Sequence, residues 1–170
     1  MLLQCVSARS PETSLWKTPR EERTTAEAVR RALDLRDAWP DALGRRVAVL
    51  LSEPVAFLQA VLALDGFAAG MLLLPAETPA SGVEEFCTRA AVDLLLTDTD
   101  AVTGALPKPL IVLPLPVSAH KDLSATSVGV ETQWILTTSG TTDTPKLVPH
   151  RLQSLSATVR RDVERGSTIV

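Results

Sequence analysis

From Arg46 onward the apolar residues fall into short unbroken runs, divided by polar, Gly- or Pro-containing stretches. "RVAVLLS" (46–52), "MLLLP" (71–75), "VDLLLTD" (92–98), "PLIVLPLP" (109–116) and "TQWILTTS" (132–139) have the length and apolar density of strands buried on both faces. Between them the period changes to that of helices. Thr24 and Glu27 stand at capping-box spacing ahead of Val29, Ala32, Leu33 and Arg36, and Pro40 and Gly44 close that helix. Ser52 or Glu53 caps a second helix with Pro54 in its first turn, running to about Ala69; only Gln59 and Asp65 interrupt its apolar surface, so it is buried on most sides. Ser81 caps a short third helix. Leu152, Leu155, Val159 and Val163 form one stripe of a last helix, about 151–165, with Gly166 as its C-cap. Strands alternating with helices predict an α/β fold, a mostly parallel sheet with flanking helices. Residues 1–23, with Pro11, Pro19 and clustered charges, read as an N-terminal arm, and 24–170 as one domain.

Composition narrows the function. The stretch 55–74 has the length of a membrane span, but Asp65 would cost roughly 2.5–3.5 kcal/mol near a bilayer centre, and Gly66, Gly70 and Pro75 break the run. A buried helix and strand explain the same letters. The net charge of −3 is uneven: residues 1–46 carry nine basic and seven acidic residues, 47–150 four and eleven, and 151–170 four and two. With three Trp, three Phe, no Tyr and no basic stripe, the chain lacks the makings of a nucleic-acid surface. Cys5 and Cys87 are isolated and match no zinc spacing or disulfide framework, so no metal site is expected of them. The first residues are too short an apolar run for a secretory signal, and a cytoplasmic location is the default expectation.

The candidate chemistry lies after the fifth strand, in "ILTTSGTTDTPKLVPH" (135–150). Five Ser/Thr side chains occupy the seven residues 138–144, Gly140 admits close backbone approach, and Lys146 brings a mobile cation. Backbone N–H groups in a tight loop form an anion-binding concavity. Gly140 and Lys146 have the six-residue separation of a Walker loop, but Pro145 replaces its second Gly and Leu147 its metal-binding hydroxyl. A serine-hydrolase elbow fails as well, since Thr137 stands where Gly is needed before Ser139. On these residues alone, a phosphate loop and a Ser/Thr-rich surface turn stand level.

"TTSGTTDTPK" resembles the phosphate-loop signature T-S-G-[ST]-T-G-x-P-K of the adenylate-forming superfamily, which includes acyl- and aryl-CoA synthetases, peptide-synthetase adenylation domains and luciferases. It matches at Thr138, Ser139, Gly140, Thr141, Thr142, Pro145 and Lys146. The order of strands and helices upstream is similar too, from about Thr24 to the end. The resemblance implies the opening portion of the family's large N-terminal domain, and ATP-dependent activation of a carboxylic acid as an acyl-adenylate, with Mg as ATP's companion. Coenzyme A or a carrier-protein thiol would then take the acyl group. By position, Ser139, Thr141 and Thr142 would supply hydroxyls, Gly140 close backbone contact and Lys146 charge, with Thr138 at the loop's entry. No catalytic residue is assigned within the chain.

Two positions depart from the pattern. Asp143 stands at the second glycine, where its charge would oppose a triphosphate, and Leu147 follows the lysine where the family has Gly. His150 and His120 are read as structural. The family's adenine- and ribose-binding motifs, hinge and mobile C-terminal domain have no counterpart in these 170 residues. The expectation is therefore a phosphate-loop-bearing portion that is inactive alone and works with a complementing C-terminal half; the alternative is a truncated, non-catalytic remnant or interaction domain of the same fold.

Overall fold

A computed structural model describes residues 1–19, 21–98, 129–138 and 145–157, together with the backbone of a strand at 111–113. The elements in order are α1 (Leu2–Ser7), β1 (Ser14–Lys17), β2 (Glu22–Thr24), α2 (Thr25–Ala38), a 3-10 turn (Pro40–Ala42), β3 (Arg46–Leu50), α3 (Pro54–Leu64), β4 (Gly70–Leu73), α4 (Ala80–Arg89), β5 (Leu94–Thr97), β6 (Ile111–Leu113), β7 (Gln133–Thr138), β8 (Lys146–His150) and α5 (Leu152–Ser156). Six strands form one sheet in the order β6-β5-β3-β4-β7-β8. The first five are parallel, and β8 closes the edge antiparallel to β7.

The double burial expected of the strands arises because helices cover both faces. On one face, Val47, Val49, Met71, Leu94, Leu96 and Trp134 pack beneath α1, α2 and α3. On the other, Ala48, Leu50, Leu72, Leu95 and Ile135 pack beneath Val83, Phe86 and Cys87 of α4. Successive residues of a strand alternate faces, so an unbroken apolar run feeds both cores.

The helix signals act as expected at several ends. Thr24 Oγ1 accepts the Glu27 N–H while the Glu27 carboxylate accepts the Thr24 N–H at 2.9 Å, a complete capping box. Glu53 caps α3 by accepting from Val55 and Ala56, with Pro54 in the first turn. Other ends differ. α3 stops at Leu64, short of Ala69, because Gly66 turns left-handed at φ 80° and Asp65 is engaged elsewhere. α4 starts at Ala80, so Ser81 lies inside its first turn and provides no cap. The stretch 1–23 is not a loose arm in its secondary structure: it contains α1, which buries Leu3 and Val6, and pairs β1 with β2. In the last helix Leu152 and Leu155 pack on the core as expected, while Val159 and Val163 lie outside the described residues. Among the described residues no helix is long and apolar enough to cross a membrane.

A polar knot sits where α3 ends. Asp65, 2% exposed, accepts the Leu2 N–H through Oδ2 at 2.6 Å and the Trp134 indole N–H through Oδ1 at 2.9 Å. The Arg36 guanidinium donates to the carbonyls of Ala63 (2.6 Å) and Asp65 (2.7 Å), capping the end of α3, and lies 5.4 Å from the Phe67 ring centroid. Burial pulls the Arg36 pKa down and the charge of Asp65 works against that. Thr132 accepts the Gly66 N–H at 2.7 Å and donates to Ala68 at 2.7 Å, which seats the start of β7.

Asp65→Ala leaves two buried donors unpaired and takes the opposite charge away from Arg36, which keeps its main-chain bonds, so we expect a loss of about 3–5 kcal/mol of stability, read as a lower urea midpoint. Trp134→Phe keeps the ring but orphans one carboxylate oxygen, and costs about 1–2 kcal/mol in the same assay.

Candidate functional site

All five parallel strands point their carboxyl ends at one edge of the sheet, where open α/β sheets place their ligands. The strand order reverses between β3 and β5, since the chain steps from β3 to β4 on one side and reaches β5 on the other. That crevice is laced shut. Asp98, just past β5, accepts the Ser52 N–H (2.9 Å), the Ser52 hydroxyl (2.7 Å) and the Glu53 N–H (3.3 Å). Partial burial pushes the Asp98 pKa up, but its bonds to Ser52 and Glu53 outweigh this and hold it below the usual value.

The open part of the edge lies further along, over β4 and β7. A cleft of about 430 Å³ is bounded there by Leu51, Phe57, Leu73, Leu74, Pro75, Ala76, Leu136 and Thr137, residues of both faces at the strand ends. Beside it, β7 ends at Thr138 and β8 begins at Lys146, and these two residues are register partners. The hairpin is thus closed by the Thr138–Lys146 pair, leaving residues 139–145 as its loop.

Paired residues on adjacent antiparallel strands share a face. Trp134 packs on the α3 side and Ile135 on the α4 side, so alternation places Leu136, Thr138 and Lys146 on the α3 side. Leu147, partner of Thr137, packs among the α4-side residues. Thr138 and Lys146 are exposed, and among the described residues Lys146 makes no ion pair. The cleft is therefore an apolar wall that reaches β7 at Leu136 and Thr137, one position short of the Thr138–Lys146 pair.

Of the residues expected to hold phosphate, the structure brings Thr138 and Lys146 together; Ser139, Gly140, Thr141 and Thr142 lie outside the described residues, as does Asp143. His150 pairs with Trp134 at the far end of the hairpin, four positions from Lys146 and so about 13 Å from the loop. His120 lies outside the described residues. Burial pushes the Cys87 thiol up to about 11, which leaves it no nucleophilic thiolate near neutral pH. Among the described residues no group of three His, Cys, Asp or Glu stands together as a metal cage.

Two features of this edge were not visible in the sequence. The cleft residues read as ordinary strand ends and helix core. Arg89 in the last turn of α4 donates to the Pro145 carbonyl at 3.1 Å, and nothing in the letters links positions 56 apart.

No known family profile matches the sequence, and no curated protein matches it. Solved structures do match. The Klebsiella oxytoca NpsA N-terminal subdomain in complex with 3-hydroxybenzoyl-AMSN superposes with a TM-score of 0.73 at 19% identity, covering 91% of this chain and 41% of that one. Bacillus subtilis o-succinylbenzoate CoA synthetase (MenE), in complex with the acyl-adenylate intermediate OSB-AMP, gives 0.76 at 17% identity, covering 98% and 46%. This chain has the N-terminal fold of the adenylate-forming enzymes. A third match, an artificially fused NpsA–ThdA adenylation–PCP di-domain, gives 0.72 at 19% identity, covering 91% of this chain and 32% of that one. The chain thus spans less than half the length of the adenylate-forming structures it resembles.

The lacing of Asp98 gives a pH-dependent test. A carboxylate whose folded pKa is depressed contributes stability above its unfolded pKa, and that contribution is lost as the pH falls through the folded value. Asp98→Asn is therefore less stable than the parent above about pH 4, and the two urea midpoints converge below the ordinary value of 3.8.

Proposed function

We propose that this chain is the phosphate-holding portion of an ATP-dependent synthetase that activates a carboxylic acid as an acyl-adenylate. The observation that carries the reading is the Thr138–Lys146 pair, which closes a seven-residue loop bearing Ser139, Gly140, Thr141, Thr142 and Thr144 at the carboxyl edge of the sheet. The loop's N–H groups and hydroxyls suit the β- and γ-phosphates, and Lys146 suits the charge that builds as pyrophosphate leaves. Its side chain needs no charge partner from the described residues, which leaves it available to a phosphate.

Mg would come as the companion of the triphosphate and would neutralise part of its charge. The NpsA and MenE structures carry acyl-adenylates or their analogues, which supports the same nucleotide chemistry here. The adjacent apolar cleft suits an acid with an apolar body. A thiol acceptor, coenzyme A or a carrier-protein arm, follows from the same kinship; the NpsA di-domain carries a PCP.

Asp143 favours a second reading, a chain that keeps the fold without the catalysis. It places a negative charge in a loop meant for phosphate. One titration series separates the two. In calorimetry with Mg-ATP and with pyrophosphate, Lys146→Ala weakens binding about tenfold or more, and Asp143→Gly tightens it about two- to fivefold. Equal affinities in all three proteins would mean that the loop holds no phosphate.

Turnover demands more than the loop. Orienting the carboxylate against the α-phosphate is worth roughly 7–11 kcal/mol of such a barrier, and gripping phosphates alone does not supply it. The 170 residues by themselves therefore give no carboxylate-dependent exchange of labelled pyrophosphate into ATP. Supplying a complementing C-terminal portion restores exchange, and Lys146→Ala or Thr141→Ala removes it again. Lys146-dependent exchange by the 170 residues alone would overturn this.

A further inference from the structure

We propose that Arg89 is a positioning residue for Lys146, holding the backbone at Pro145 so that Lys146 stays on the α3 side of the sheet. The proposal rests on the phosphate-binding reading above and adds to it a residue from the opposite face of the sheet.

Three contacts fix the Arg89 guanidinium. Glu85, one turn earlier on α4, accepts from its NH1 at 2.9 Å. The Phe86 ring lies 6.0 Å below its centre. The same NH1 donates to the Pro145 carbonyl at 3.1 Å. The side chain is about one-third exposed, so it is oriented by these neighbours and not by burial.

The carbonyl of Pro145 and the N–H of Lys146 share one rigid peptide plane. Pinning that carbonyl from the α4 side fixes the orientation of the plane. The Pro145 ring fixes the backbone torsion before it, and Leu147 is anchored in the α4-side core just after it. Lys146 is thus bracketed on both sides, and its Cα–Cβ bond is committed to the α3 face. A lysine loses considerable freedom when it grips a ligand. Fixing its backbone beforehand confines that loss to the side-chain rotors.

A simpler role would be that of a distant positive charge attracting phosphate. Glu85 separates the two by sign. If Arg89 acts only through charge, Glu85→Gln removes a nearby negative charge and tightens phosphate binding. If Arg89 acts by position, Glu85→Gln releases the guanidinium from its brace and weakens binding.

The experiment measures Mg-pyrophosphate affinity by calorimetry on the full chain and its variants. We expect Arg89→Met to weaken binding about three- to tenfold when Lys146 is present, and less than twofold in the Lys146→Ala background. Arg89→Lys restores only part of the loss, because an ammonium lacks the flat guanidinium that lies over Phe86 and aims the NH1 protons at Glu85 and Pro145 in fixed directions. Glu85→Gln weakens binding in the same direction as Arg89→Met. The carbonyl ¹³C shift of Pro145 moves in Arg89→Met, while the thermal midpoint stays within a few degrees of the parent. Tighter or unchanged binding in Glu85→Gln, or an equal Arg89→Met loss with and without Lys146, overturns the proposal. So does an unmoved Pro145 carbonyl. An unchanged affinity in Lys146→Ala instead overturns the phosphate reading itself, and the carbonyl shift distinguishes that failure from a failure of the Arg89 contact.

Discussion

The interaction on which the rest of the structure depends is the buried carboxylate of Asp65. A charge taken out of water is costly unless every acceptor position finds a donor, and here the donors come from opposite ends of the sequence. Leu2 belongs to the first helix, Trp134 to the strand that carries the candidate site, and Arg36, which caps the same turn, to α2. The carboxylate requires α1 and β7, which have no local reason to meet, to come together, and Arg36 ties α2 to the same turn through main-chain carbonyls. The apolar packing around it is permissive, since many arrangements bury leucine and valine equally well. The polar knot admits few, because a partial set of donors leaves a buried charge uncompensated.

This constraint reaches the functional edge through β7. The amino end of that strand is held by Trp134 against Asp65 and by Thr132 against Gly66 and Ala68, and its middle lies in register with β4. The strand is stiff and delivers Thr138 at a fixed height. The returning leg is set separately, by Leu147 in the α4-side core and by Arg89 at Pro145. The two legs of the hairpin are thus referenced to different layers of the molecule. The apolar cleft next to them lies where β4 ends at Leu73, level with Leu136, while β7 runs two residues further and Phe57 of α3 stands beside them.

Much of this frame was legible in the sequence, for physical reasons that differ by element. The five parallel strands announced themselves because burial on both faces leaves no room for polar residues, as in "RVAVL" and "LLLT". Thr24 and Glu27 were legible because a capping box is a local bond pattern. β8 was not. It is a sheet edge that tolerates Pro149, and its alternation is masked by Lys146 and His150 at its ends. α1 was missed because six residues carry too little periodicity to be read, and its position comes from a bond to Asp65 sixty-three residues away. Asp65 itself was legible only as an interruption in an apolar run. Its role as a hub is a property of three dimensions. The motif around Lys146 was visible because it is contiguous, while Arg89 and the cleft are assembled across the chain.

The antiparallel closure of the sheet has a consequence for the order in which the chain can be built. β8 meets β7 across a short loop, and such hairpins close in roughly 1–10 μs. The pairing of β7 with β4 joins Gly70 to Gln133. On a ribosome adding ~5–20 residues per second, β4 emerges roughly 3–12 s before its outer neighbour exists. Throughout that interval the strand Gly70–Leu73 is an unpaired apolar edge, of the kind that recruits other nascent strands. The hairpin bearing the candidate site is therefore also the piece that seals the sheet, and synthesis that pauses between β6 and β7 leaves the molecule at its stickiest.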